Sequence, residues 1–125
     1  MPEAETIMKT DLITVTKDTP IYEAIRILVE NNITGLPVVN DDMTMAGVIT
    51  EKDVMKLLYG NLNEPGKVGD FMTEKVISFD RQDSLIDIAE SFMNNHFRRV
   101  PILTNGKLAG IISRKDIIKY ILAPI

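Results

Sequence analysis

The sequence predicts an α+β fold made of two pseudo-symmetric β-α-β-β-α repeats, and three observations predict it. First, the chain aligns with itself: Met8 with Met72, Ile13 with Ile77 and Pro37 with Pro101 at one offset, then Gly47 with Gly110 and Asp53 with Asp116 at an offset one residue shorter. Second, that slip falls where Asn40-Asp41-Asp42-Met43-Thr44 faces Thr104-Asn105-Gly106-Lys107, and turns tolerate length changes that elements do not. Third, the apolar period switches inside each copy from short β-rich stretches to a helical stripe and back.

Each copy opens on a short strand, Leu12 to Thr16 and Val76 to Phe79. A helix follows. In the first copy Thr19 is placed to cap it and Pro20 to take the first helical position, with Ile21, Ala24, Ile25, Leu28 and Val29 on one apolar face. In the second, Asp83 is the expected cap and the face is Leu85, Ile88, Ala89, Phe92 and Met93. Both helices should stop at asparagines, Asn31-Asn32 and Asn94-Asn95. Two hairpins come next, Leu36 to Val39 with Met45 to Ile49, and Val100 to Leu103 with Leu108 to Ile112, the latter around Asn105-Gly106. A last helix in each copy should turn Val54, Leu57 and Leu58, or Ile117, Tyr120 and Ile121, inward. The breakers Gly60, Asn61, Asn63, Pro65 and Gly66 mark a linker over 60–67, which sets a first repeat at 5–59 and a second at 68–125.

Composition narrows the function classes. The 125 residues are 45% hydrophobic and 26% charged, the balance of a chain that folds rather than stays disordered. There is no cysteine, so disulfide scaffolds, thiol catalysis and cysteine-bound zinc are excluded. A net charge of −4 argues against a nucleic-acid backbone as partner. The run from Ile21 to Val29 is broken by Glu23 and Arg26, so no segment reads as a membrane span. Residues 1–11 do not read as a secretion signal, and a cytoplasmic location is the expectation.

The segment shared most closely is Gly47-Val48-Ile49-Thr50-Glu51-Lys52-Asp53, matched by Gly110-Ile111-Ile112-Ser113-Arg114-Lys115-Asp116, at a junction from strand to helix. Two readings stay open. The hydroxyl beside free N–H groups at a helix start can seat a phosphate, with the acid accepting from a ribose diol. Alternatively Thr50-x-x-Asp53 and Ser113-x-x-Asp116 are capping boxes, in which hydroxyl and acid serve the helix itself. His96 has no histidine or cysteine partner in the sequence, which argues against a zinc site. Asp41-Asp42 reads as a solvated turn and Met55, Met72 and Met93 as core filler.

Together with Gly35-Leu36-Pro37-Val38-Val39, Arg99-Val100-Pro101-Ile102-Leu103 and Val68-Gly69-Asp70-Phe71-Met72-Thr73, these repeated segments resemble tandem CBS domains over nearly the whole chain. The resemblance implies two CBS repeats packed sheet to sheet as one disc, with clefts that take AMP, ADP, ATP or S-adenosylmethionine. Carried over by position, Asp53 and Asp116 would hold ribose hydroxyls, and Thr50 and Ser113 would face phosphate. Ile13, Thr14, Ile77 and Ser78 would line the base. The surroundings of Gly35, Pro37 and Pro101 would sandwich the adenine, and Arg98 and Arg99 would reach phosphate. The copies differ here: Thr34-Gly35 faces Arg98-Arg99 and Glu51 faces Arg114, so unequal sites are expected.

The function that follows is a regulatory, energy-sensing module that binds an adenosine nucleotide and passes its state to an effector protein, without catalysis, catalytic cofactor or metal. A homodimer is expected from the resemblance. The competing reading is a ligand-free interaction adapter. An enzyme is disfavoured, because no glycine-rich segment ends in Gly-Lys-Ser or Gly-Lys-Thr and no nucleophile sits with a base.

Overall fold

In a computed structural model, residues 2–64 and 66–123 are described. Met1, the linker breaker Pro65, and Pro124 and Ile125 of the second repeat lie outside them. The chain forms two compact units, one of residues 13–76, the other of residues up to Leu12 together with those from Ile77 onward. Each unit therefore completes its hairpin with a segment that, in sequence, leads into the other repeat.

The element order begins with α1 (Ala4–Ile7), α2 (Ile21–Asn31), β1 (Gly35–Val39), β2 (Met45–Thr50) and α3 (Glu51–Met55). It continues with β3 (Phe79–Asp80), α4 (Leu85–Asn94), β4 (Arg99–Thr104), β5 (Lys107–Ser113) and α5 (Arg114–Leu122). One sheet is the antiparallel pair β1-β2; the other has the order β3-β4-β5, with β3 parallel to β4.

In the unit of residues 13–76, α2 buries Ile21, Ala24 and Leu28 against Val15, Leu36, Val38, Ile49, Leu57 and Val68. Full burial of such side chains contributes about 1.5–3 kcal/mol each. Val29, expected on this face, is 74% exposed. Eight residues beyond Ile21 a helix has turned about 80° away from it, past the edge of the stripe. The expected Thr19 cap is also displaced. Its hydroxyl accepts from Thr16 N–H (3.1 Å), and Pro20 takes the cap position, giving its carbonyl to Glu23 N–H (3.0 Å). Asn32 ends the helix in the left-handed region, φ 52°. The expected strand over Leu12 to Thr16 reduces to one parallel bridge from Val15 to Val38.

After α3 the chain tightens into a 3-10 turn, Lys56–Tyr59, which buries Leu57. With about three residues per turn, the next position points well away, and Leu58 is 76% exposed rather than inward. The chain then returns, and Thr73 bridges Val48 through Val48 N–H to Thr73 O (2.9 Å) and Thr73 N–H to Val48 O (2.8 Å). Gly47 is required by this crossing, because a Cβ there would stand 2.5 Å from Thr73 O.

In the second unit α4 buries Leu85, Ile88 and Phe92 against Ala4, Val100, Ile102 and Ile112. Phe92 meets Phe97 edge to face, with centroids 5.8 Å apart. The cap is Ser84, whose hydroxyl accepts from Ile86 N–H (3.1 Å). The expected Asp83 instead accepts from Asp80 N–H (2.7 Å), which closes the preceding turn. The strand expected at Val76 to Phe79 is the two-residue β3. Met93, eight residues beyond Leu85, is exposed as Val29 is, for the same angular reason. At the hairpin tip Asn105 and Gly106 both have positive φ, 53° and 77°, the geometry a two-residue turn of right-handed twist demands. On α5, Asp116 is buried and Ile117 partly so, whereas Tyr120 and Ile121, expected inward, are 42% and 76% exposed. Beyond its first turn Ile118, Ile121 and Leu122 are 61–82% exposed.

Candidate functional site

Both strand-to-helix junctions close as capping boxes. Thr50 Oγ1 accepts from Asp53 N–H (3.2 Å) while Asp53 Oδ2 accepts from Thr50 N–H (3.0 Å). Ser113 Oγ accepts from Asp116 N–H (3.2 Å) while Asp116 Oδ2 accepts from Ser113 N–H (2.8 Å). Both acids are buried, and a buried carboxylate must be paired or hydrogen-bonded. Asp53 has Thr73 Oγ1 at 3.0 Å and Lys56 Nζ at 3.6 Å from Oδ1. Asp116 has Lys9 Nζ at 3.5 Å from Oδ1. Thr73 and Lys9 were not singled out by sequence reasoning, although the register that pairs Met8 with Met72 also pairs them.

The remaining candidates gather around each junction. In the unit of residues 13–76, Gly35 pairs with Thr50 and Pro37 with Val48, and Thr34 O accepts from Glu51 N–H (3.1 Å). Ile13 and Thr14 lead into Val15, whose N–H donates to Pro37 O (3.1 Å). In the other unit Arg99 pairs with Ser113 and Pro101 with Ile111, and Arg98 O accepts from Arg114 N–H (3.1 Å). Ile77 and Ser78 lead into β3. Ile13 and Ile77, at equivalent positions, are 39% and 47% exposed, apolar surface of the kind a base can cover. Each unit thus carries one full set of the expected residues.

Arg114 departs from expectation. Its guanidinium donates to Asn95 O (3.1 Å) and Phe92 O (3.4 Å), so its charge sits on the carbonyl end of α4, where a cation is favoured. The difference between Glu51 and Arg114 is thereby accounted for by packing. Asp41 and Asp42 lie in the exposed β1-β2 turn, where Asp42 accepts from Thr44 N–H (3.0 Å). That turn borders an open depression of about 540 Å3, lined by Thr16, Lys17, Asp18, Val39, Asn40, Asp41, Asp42 and Thr44, which contains none of the expected site residues. Among the described residues no cluster of acids and histidine could hold a metal, and no helix is long and apolar enough to cross a membrane.

Two copies of one sheet-and-helix unit, each ending on a buried hydroxyl-carboxylate box, define a tandem repeat module. The sequence model of the CBS domain matches residues 4–60 and 68–123, so the chain belongs to the CBS domain family as a tandem pair. It is 36% identical over 115 residues to the uncharacterized protein MJ1225 of Methanocaldococcus jannaschii, covering 92% of this chain and 41% of that one. Its fold matches a crystal structure of CBSX2 in complex with AMP, with a TM-score of 0.88, 30% identity, and 98% and 97% of the two chains covered. It also matches the CBS domain pair of protein MJ0100 in complex with 5-methylthioadenosine and S-adenosyl-L-methionine, with a TM-score of 0.83, 25% identity, and 97% and 96% covered. The chain spans 41%, 33% and 23% of the lengths of the first three curated relatives it matches.

Proposed function

We propose that this chain is a regulatory module that binds an adenosine nucleotide and catalyses no reaction. The observation that carries the reading is the near full-length match to a CBS pair solved with AMP. The geometry supports it: in each unit a buried carboxylate, a cap hydroxyl and a half-exposed isoleucine belong to one hairpin and its flanks. Asp53 and Asp116 are the ribose acceptors in this reading, with Thr50 and Ser113 toward phosphate and Arg98 and Arg99 as phosphate donors. AMP, ADP, ATP and S-adenosylmethionine are the ligands to compare. A ligand moves the module only by binding one conformation better than another, and the output passes to an effector protein in the cytoplasm.

A homodimer belongs to the same proposal. Met55 at the end of α3 with Leu58 and Tyr59 just after it, and in the other unit Ile118, Ile121 and Leu122 on α5, are 58–94% exposed, apolar side chains that a second copy would cover. A ligand-free adapter remains the second reading, favoured by one observation: both acids already serve complete capping boxes.

A thermal-shift titration separates the two. At a hundredfold excess over Kd, a ligand adds about 2.7 kcal/mol, a rise of several degrees for a domain of this size. A rise with AMP that Asp53→Ala or Asp116→Ala removes supports the sensor. No rise with any adenosine ligand or S-adenosylmethionine would leave the adapter.

A further inference from the structure

Resting on the nucleotide reading above, we propose that the chain takes one adenosine nucleotide, at Asp116, because Thr73 keeps Asp53 closed while Lys9 leaves Asp116 able to open.

A carboxylate accepts about four hydrogen bonds. Asp53 draws three donors from its own unit, with an ammonium just beyond hydrogen-bond range. Oδ2 accepts from Thr50 N–H and Thr50 Oγ1, each at 3.0 Å, and Thr73 Oγ1 lies 3.0 Å from Oδ1 and 3.2 Å from Oδ2, with Lys56 Nζ 3.6 Å from Oδ1. Asp116 has less. Ser113 N–H reaches Oδ2 at 2.8 Å, and Oδ1 faces Lys9 Nζ at 3.5 Å.

The two partners also differ in how they let go. Both backbones are pinned by a two-bond bridge, Thr73 to Val48 (2.8 and 2.9 Å) and Lys9 to Ile111 (2.9 and 3.0 Å). Beyond that point threonine is β-branched and stiff about its one torsion. Lysine has a flexible four-carbon stem, and the side chain of Lys9 is 66% exposed. A ribose diol arriving at Asp53 would replace one hydroxyl donor with another, and little is gained by the exchange. At Asp116, where among the described residues no hydroxyl donor lies on the carboxylate, the diol adds one beside an exposed ammonium that stays nearby as a counter-charge for phosphate. The residue that follows each paired methionine is therefore the one that decides whether the acid behind it serves a ligand or only its own helix.

Isothermal titration of the full chain with AMP tests this. The wild type should bind one AMP per chain, and Asp116→Asn should raise Kd at least tenfold. Thr73→Val removes the hydroxyl without touching the cap and should bring the stoichiometry to two, whereas Thr73→Ser, which keeps the hydroxyl, should hold it at one. The Thr73 pair keeps the test intact should Asp116→Asn fail to fold. Two equal sites in the wild type, or a stoichiometry of one in Thr73→Val, would overturn the proposal and leave the nucleotide reading standing. If the wild type binds neither AMP, ATP nor S-adenosylmethionine, the nucleotide reading falls and takes this proposal with it.

Discussion

Replacing Gly47 with alanine tests the crossing on which the first unit closes. The added methyl would stand 2.5 Å from Thr73 O, 3.2 Å from its carbonyl carbon and 3.3 Å from Met72 Sδ. The nearest of these is backbone, so the strand must retreat. Two hydrogen bonds then lengthen together, Val48 N–H to Thr73 O (2.9 Å) and Thr73 N–H to Val48 O (2.8 Å). At about 1 kcal/mol each their loss costs about 2 kcal/mol, and the Thr73 hydroxyl leaving Asp53 adds about 1 kcal/mol. Stiffening of the unfolded chain returns at most about 1 kcal/mol. The net expectation is a loss of about 2 kcal/mol, which at about 2 kcal/mol per molar of urea lowers the denaturation midpoint by about 1 M. Gly110→Ala is the internal control. There the closest atoms are Sδ and Cγ of Met8, at 2.6 and 2.7 Å, with Lys9 O at 3.0 Å. A methionine side chain can rearrange, so this substitution should cost about 1 kcal/mol. If Gly47→Ala costs no more than Gly110→Ala, the backbone crossing is not what requires glycine at this position.

Thr50→Ala and Ser113→Ala each remove a cap hydroxyl and should lower stability by about 1 kcal/mol, read from the same urea curves. The effect at Thr50 should be the larger, because its hydroxyl both accepts from Asp53 N–H and donates to Asp53 Oδ2, whereas Ser113 is seen accepting from Asp116 N–H. Leu58→Gln and Ile121→Gln, at positions 76% exposed, should leave unfolding of the dilute chain within about 0.5 kcal/mol of the wild type. In sedimentation at micromolar concentration the same two substitutions should convert a dimer to a monomer; a wild type that is already monomeric would refute the homodimer.

Local patterns carried the helices and hairpins. Ile21, Ala24 and Leu28, and Leu85, Ile88 and Phe92, form the buried stripes that helical spacing demands, and Asn32 and Asn95 sit just past the ends of α2 and α4. The departures come where distance or angle overrides spacing. Val29 and Met93 belong to the apolar pattern by residue type but lie too far round the helix. Thr19 and Asp83 have the right chemistry for a cap, yet each is committed to the turn before the helix. The opening strands shrink to Val15 alone and to Phe79–Asp80, because pairing with the hairpin lasts only that far. At the junctions the acids and hydroxyls were legible as a box, whereas Lys9 and Thr73 reach them across more than a hundred residues and twenty residues respectively. No local period encodes such a contact; only the internal register of the two copies points to it.

That register separates what the fold requires from what a ligand would. Gly47 recurs as Gly110 because a backbone crosses the first and the Met8 side chain packs on the second, and Thr50 with Asp53 and Ser113 with Asp116 recur because each pair closes a helix end. Retention of both acids is thus fully explained without a ligand, and it cannot by itself separate a sensor from an adapter. The discriminating positions are those the fold lets vary: Thr73 against Lys9, and Thr34-Gly35 against Arg98-Arg99, where the backbone geometry is the same in both units. Every one of these differences puts the positive charge in the unit of Asp116. Arg114 adds to that charge but spends it on the carbonyl end of α4. Lysine meets the acid in both units, Lys56 at Asp53 and Lys9 at Asp116, so the arginine pair is the charge difference that the AMP titration of the proposed site puts to the test.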